Sequence, residues 1–161
     1  MKRVILTIVT VLVLAATVAE AETPMDWSLQ RTSSLFTLTF GTPAALNWGY
    51  TWFVSEKRGY GVYGGYLEGY SNSWVVGIQV NTLWRLHETR NSLLMGAAMI
   101  GTSQLHNNLE ETDDWNYVGV GLSARWQFFF AETGLSVGTG TYANPQMLLQ
   151  LGFVLHTGRE K

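Results

Sequence analysis

The chain of 161 residues contains no cysteine and carries a formal net charge of −2. It therefore has no disulfide, no thiolate metal site and no cysteine nucleophile, and its acidic balance argues against a nucleic-acid partner. Only 14% of its residues are charged, against about 25% in a typical soluble domain, so the polar surface that such a domain needs is in short supply.

Met1-Lys2-Arg3 precedes residues 4–19, a run free of charge and proline, and Ala19-Glu20-Ala21 then puts small residues where a signal peptidase reads. This predicts a secretory signal peptide over residues 1–21. A membrane-spanning helix is the weaker reading, because it needs about 20 apolar residues. No cysteine follows to carry a lipoprotein anchor, and bacterial export is the expected context. Cleavage after Ala21 takes Lys2, Arg3 and Glu20 away and leaves 140 residues, 8 basic and 11 acidic, enough for about one domain.

Residues 22–33 have no clean period and are expected to be an irregular tail. The domain proper is expected at 34–156, with a second tail at 157–161. Strand one, 35–40, sets Phe36, Leu38 and Phe40 against Thr37 and Thr39, since successive side chains of a strand point to opposite faces. Gly41-Thr42-Pro43 ends it, because proline cannot donate to a ladder. Strand two, 45–54, opposes Leu46, Trp48, Tyr50, Trp52 and Val54 to Asn47, Gly49 and Thr51. Glu56-Lys57-Arg58-Gly59 is a charged turn. Strand three, 60–69, is so rich in Tyr and Gly that its faces stay unassigned, and Tyr70-Ser71-Asn72-Ser73 turns the chain again.

Strand four, 74–86, carries Trp74, Val76, Ile78, Val80, Trp84 and Leu86 on one face and Gly77, Gln79, Asn81 and Arg85 on the other. Residues 87–92 make a polar turn. Strand five, 93–102, is small and apolar on both faces. Residues 104–114 form the one long loop, with Glu110, Glu111, Asp113 and Asp114 in it. The clearest alternation follows at 115–137. Val118, Val120, Leu122, Ala124 and Trp126 oppose Tyr117, Gly119, Gly121, Ser123 and Arg125; then Phe129, Ala131, Thr133, Leu135 and Val137 oppose Phe130, Glu132, Gly134, Ser136 and Gly138. A tight turn at Gln127 makes these strands six and seven a hairpin in which paired residue numbers sum to about 255. After a Gly, Asn and Pro loop at 139–145, strand eight, 146–156, sets Met147, Leu149, Leu151, Phe153 and Leu155 against Gln150, Gly152 and His156.

A soluble sheet clothes its outer face in charge. Here the non-apolar face is glycine, serine and two charges, so the sides reverse: apolar toward lipid, small and polar toward a narrow interior. The fold class is all-β, an eight-stranded antiparallel up-and-down transmembrane β-barrel, the architecture built from strands of about 10 residues alternating apolar-out and polar-in. Eight strands leave room for side chains but no open pore. Trp74 and Trp84 share a face and lie about 25 Å apart along the membrane normal at about 3.3 Å per residue and a tilt of about 40°, the span between two aromatic girdles. Trp48 and Trp52 are too near each other for both to sit at rims. With a periplasmic start, the turns near residues 56–59, 87–92 and 127 are periplasmic, and those near 41–44, 70–73, 104–114 and 139–145 are outside.

On this pattern the chain resembles the small outer-membrane β-barrels of the OmpA/OmpX-like class over residues 35–156. Leu149-Gln150-Leu151-Gly152-Phe153-Val154-Leu155 is similar to the terminal signal that such barrels show to their assembly machinery, although here the chain runs on to Lys161. The resemblance implies an outer-membrane location, with outer-membrane lipid, lipopolysaccharide and the barrel assembly machinery as partners of a monomer.

For chemistry, Arg125 and Glu132 are predicted inward on adjacent strands, as an interior ion pair one diagonal step apart. Arg does not release its proton, so the pair is poor catalytic equipment. His87, His106 and His156 are scattered. Lipid A deacylases carry a His-x-Ser pair, which His106-Asn107-Asn108 lacks. Asp114-Trp115-Asn116-Tyr117 and Gly140-Thr141-Tyr142-Ala143-Asn144 are similar to stretches of the lipid A palmitoyltransferase barrel, but no histidine stands before His87, and that activity does not carry over. The four acidic residues of the long loop could gather Ca²⁺ or Mg²⁺, yet they lack the spacing of a cage. No catalytic, cofactor or metal residue is assigned. The expected function is a non-enzymatic barrel with a structural or surface-interaction role. A lipid A-modifying enzyme and a lipocalin-like periplasmic binder of an apolar ligand are the alternatives.

Overall fold

The computed structural model describes residues 32–69, 73–89, 91–107, 111–141 and 144–159. The predicted signal peptide, most of the predicted tail, Glu110 and Tyr142 lie outside them. Eight strands run β1 (Thr32–Gly41), β2 (Ala45–Phe53), β3 (Arg58–Glu68), β4 (Trp74–Glu88), β5 (Ser92–His106), β6 (Thr112–Trp126), β7 (Phe129–Gly140) and β8 (Gln146–Arg159). Each pairs antiparallel with its chain neighbours, and β1 pairs with β8, so the sheet closes into a barrel. This is the all-β, eight-stranded up-and-down barrel that the alternation predicts.

The β6–β7 register is the predicted one: Arg125 lies opposite Phe130 and Trp126 opposite Phe129. Gln127 takes φ 54° in the two-residue turn, the positive φ that a hairpin twisting with its strands requires. Faces follow parity. Val120, Leu122, Leu135, Met147 and Leu151 stand exposed on the outer wall, while Tyr117, Ser123, Glu132 and Gln150 are buried inside. The two strands without legible faces resolve as well. β3 buries Tyr63 and exposes Tyr66; β5 buries Leu93, Met95, Ala97 and Met99 and exposes Leu94. The interior is narrow, so apolar side chains fill it beside polar ones: Leu35, Leu83, Met95, Phe130 and Leu148 are all buried there. Tyr63 lies along the inner wall because Gly49 and Gly61 flank it. A Cβ at Gly61 would sit 2.8 Å from its ring, and one at Gly49 would overlap it.

Three expectations are corrected. The predicted long loop at 104–114 is mostly ladder, with Gln104 opposite Asp114, Leu105 opposite Asp113 and His106 opposite Thr112. Polarity there reflects strands continuing beyond the apolar band, where backbone pairing persists and both faces can be polar. The predicted turn at 87–92 shrinks in the same way, because β4 runs through a register shift between Arg85 and His87 to Glu88. On β8 a register shift puts Val154 opposite Thr37 but His156 opposite Phe36. A bulge of one residue reverses parity beyond it, and His156 is exposed instead of inward.

Residues reach inward over the lumen at both ends. At the end away from the termini, residues 42–44 fold back over the opening: Ser103 Oγ donates to the Pro43 carbonyl (2.7 Å), and the Asn47 amide donates to the Gly41 and Thr42 carbonyls. Pro43 sits against Gly77, where a Cβ would meet it at 2.6 Å. At the terminal end Arg85 reaches over the Phe53 ring at 4.1 Å. In planar bilayers the purified protein is expected to show no steady conductance, and large reproducible single-channel steps would contradict a plugged interior.

Candidate functional site

The centre of the barrel is a carboxylate held by neutral donors. Alternation along β7 turns Glu132 inward, where it is 1% exposed. Gln79 Nε2 (2.6 Å) and Gln150 Nε2 (3.1 Å) donate to its Oε1; Asn81 Nδ2 (2.7 Å) and Ser123 Oγ (2.6 Å) donate to its Oε2. Each oxygen accepts two bonds, so the four donors match the acceptor capacity of an ionised carboxylate. The amide oxygens complete the order outward. Gln79 Oε1 accepts from Tyr117 Oη at 2.7 Å, Asn81 Oδ1 from Gln79 Nε2 at 2.9 Å, and Gln150 Oε1 from Thr39 Oγ1 at 2.8 Å. The network joins β1, β4, β6, β7 and β8 across the lumen.

Arg125 is not part of it. The guanidinium is buried at 4% exposure on the inner wall, and Ser123, two residues before it, is the residue opposite Glu132. The four acceptor positions of the carboxylate are filled by the neutral donors, so the predicted Arg125–Glu132 ion pair is replaced by an amide and hydroxyl cage. The reason is closure. β4 lies three strands from β7, and only the closed barrel carries Gln79 and Asn81 to Glu132. Each member of the network is readable as an inward residue, but their convergence is not.

A second polar cluster lies at the terminal end. Arg85 Nη1 pairs with Glu88 Oε2 at 2.9 Å. Glu88 Oε1 accepts from the Thr32 amide (2.9 Å) and hydroxyl (2.6 Å), and Arg85 Nη2 donates to the Thr32 carbonyl (2.6 Å). The start of β1 is thereby clamped to β4 across the opening.

The histidines do not join either cluster. His87 and His156 are exposed on β4 and β8. His106, on β5, stacks on Trp74 at 5.5 Å and bonds Thr112 Oγ1 at 3.0 Å. Asp113 and Asp114 lie on β6, and Glu111 just before it. Among the described residues no group of His, Asp and Glu could hold a metal ion. Ser123 and Glu132 touch, as a nucleophile and base would, but they are 0% and 1% exposed, and every acceptor site of the carboxylate is occupied. The arrangement fastens β1, β4, β6, β7 and β8 to one another.

No family model matches the chain, and no curated protein matches it. Among solved structures it is similar to Ail, the attachment invasion locus protein of Yersinia pestis, at 12% identity and a TM-score of 0.35, covering 76% of this chain and 93% of that one.

Proposed function

We propose that the protein is a bacterial outer-membrane β-barrel with a non-enzymatic structural or surface-interaction role, exported through a cleaved signal peptide. The observation that carries this is the outer wall. Among the described residues 23 large apolar side chains are exposed, and every strand contributes at least one. Soluble monomers seldom expose apolar patches above a few hundred Å², and a wall of this kind is matched by lipid. That weighs against a soluble lipocalin-like binder. The filled lumen and the saturated Glu132 cage weigh against a lipid A-modifying enzyme.

A surface role is supported by uneven strand lengths. β4, β5 and β6 have 15 residues each, against 10 and 9 in β1 and β2. β2–β3 pairing stops at Trp48 and Gly64, while β3–β4 pairing continues to Glu68 and Trp74. One side of the wall therefore rises above the other, away from the termini. The partners expected are outer-membrane lipid, lipopolysaccharide and the barrel assembly machinery.

Expression in a Gram-negative host tests the location. The protein should sediment with the outer membrane and leave it only in detergent; release by osmotic shock would overturn the proposal. Lipid A mass spectra with and without the protein test the role. They should be identical, and a gained or lost acyl chain would make it an enzyme.

A further inference from the structure

We propose that the tip of the β1–β2 hairpin, residues 42–46, is a lid that lifts off the far mouth of the lumen while the rest of the barrel stays folded, with Ser103 as its latch. The first ground is the seat. Gly65, Gly77 and Ser103 are paired in one row across β3, β4 and β5 and make a flat bed on the inner wall. The tip lies on it. The Leu46 carbonyl sits over Gly65, where a Cβ would overlap it, and Pro43 sits on Gly77, where a Cβ would come within 2.6 Å of the Pro43 carbonyl. Ser103 Oγ donates to that carbonyl at 2.7 Å. The second ground is the way the tip holds together. The Asn47 amide donates to the Gly41 and Thr42 carbonyls, and Asn47 Oδ1 accepts from the Ala44 amide at 3.0 Å. These bonds lie within the hairpin, so the tip keeps its shape when it leaves the bed. Its root stays on β8, where the Thr42 amide donates to the Leu149 carbonyl at 3.0 Å. The third ground is the line along which it parts. β2 pairs with β3 only from Trp48 opposite Gly64 to Phe53 opposite Gly59, the shortest ladder of the barrel. Gly59, Gly61 and Gly64 lie on its β3 side, and glycine offers no cross-strand side-chain pair. The terminal end of that line is tied, by the Val54 amide to the Arg58 carbonyl at 3.0 Å and by the Trp52 and Tyr60 rings at 5.9 Å. The far end therefore frays first, and the tip lifts with it.

The chain has no cysteine, so single introduced thiols report cleanly. Ala44 is 0% exposed under the lid, and Ser123 is 0% exposed at mid-barrel. Ala44→Cys and Ser123→Cys are folded in detergent micelles, with folding verified by heat-modifiable gel mobility, and treated with a water-soluble maleimide. The thiol at position 44 should react at least about tenfold faster than the one at position 123, because the first needs a local opening and the second a global one. Equal rates would overturn the lid. Adding Ser103→Ala to Ala44→Cys removes one hydrogen bond from the latch and should speed labelling about fivefold. Adding Ser123→Ala removes a hydroxyl of the same kind from the Glu132 cage and should leave the rate at position 44 unchanged. If both substitutions speed it alike, labelling follows global stability and the lid does not open by itself. If Ser103→Ala leaves the rate unchanged, Ser103 is not the latch. Hydrogen exchange of the unaltered protein gives a reading that needs no thiol. Amides paired between Trp48–Tyr50 and Val62–Gly64 should exchange at least about tenfold faster than those paired between Val80–Asn81 and Met99–Ile100, and uniform exchange over both ladders would contradict an opening along the β2–β3 line.

Discussion

Replacing Glu132 with Ala should lower the unfolding free energy in detergent micelles by about 4 kcal/mol, the largest loss expected from any single polar side chain of this barrel. Four donors converge on that carboxylate, and a buried donor left without an acceptor costs about 1–3 kcal/mol. Full addition is not expected, because the Ser123 hydroxyl can turn and Gln79 keeps its bond to Asn81. Glu132→Gln is nearly the same shape but places an NH₂ group against N–H and O–H donors, so it should cost about 2–3 kcal/mol on the same reasoning. Combining it with Asn81→Asp moves the charge by one partner. The carboxylate introduced at position 81 then accepts from the new amide at position 132 and from Gln79, and Ser123 accepts where it donated. The double variant should recover part of what Glu132→Gln loses. Urea unfolding of the four proteins gives the coupling. If the double variant is no more stable than the sum of the singles, the cage is wrongly drawn.

Period-two alternation reveals most of the fold because a membrane-type barrel imposes it twice. Lipid demands apolar residues at every second position, and a narrow lumen demands small or polar ones between. Where both demands act, as on β6 and β7, strand bounds, faces and even the hairpin register are legible in the residue pattern alone. Where one demand lapses, legibility falls. Beyond the apolar band Asp113 and His106 stay in the ladder with nothing in their polarity to announce a strand. On β5 the lumen is filled by Met95 and Met99 and the wall is Gly96 and Ala98, so neither face stands out. Bulges leave no mark at all, and the one near His156 flips that side chain outward. The Glu132 cage is hidden for a different reason. Its donors come from β4 and β8 as well as β6, and pairwise reading of neighbouring strands offers Arg125 as the partner nearest to hand.

The two faces of β6 should fail in opposite ways when altered. Leu122 is exposed on the outer wall at 48%, and its neighbour Gly121 faces the lumen, where a Cβ would overlap the Thr133 carbonyl and lie 2.7 Å from Met99 Cε and 2.8 Å from Gly134 Cα. Leu122→Arg places a guanidinium in hydrocarbon and should cost about 2–4 kcal/mol near the bilayer midplane. In micelles the penalty should shrink, since detergent can rearrange around the charge and let the side chain reach water. Gly121→Ala adds one methyl group against the β7 backbone at Thr133 and Gly134, which cannot yield as the Met99 side-chain end can. It should cost about 1–3 kcal/mol by overpacking, equally in bilayers and in micelles, because lipid never touches it. Gly121→Arg should not fold in either. The solvent dependence, more than the size of either effect, separates the faces. If Leu122→Arg is as stable in bilayers as the unaltered protein, or if Gly121→Ala is penalised only in bilayers, then inside and outside are reversed.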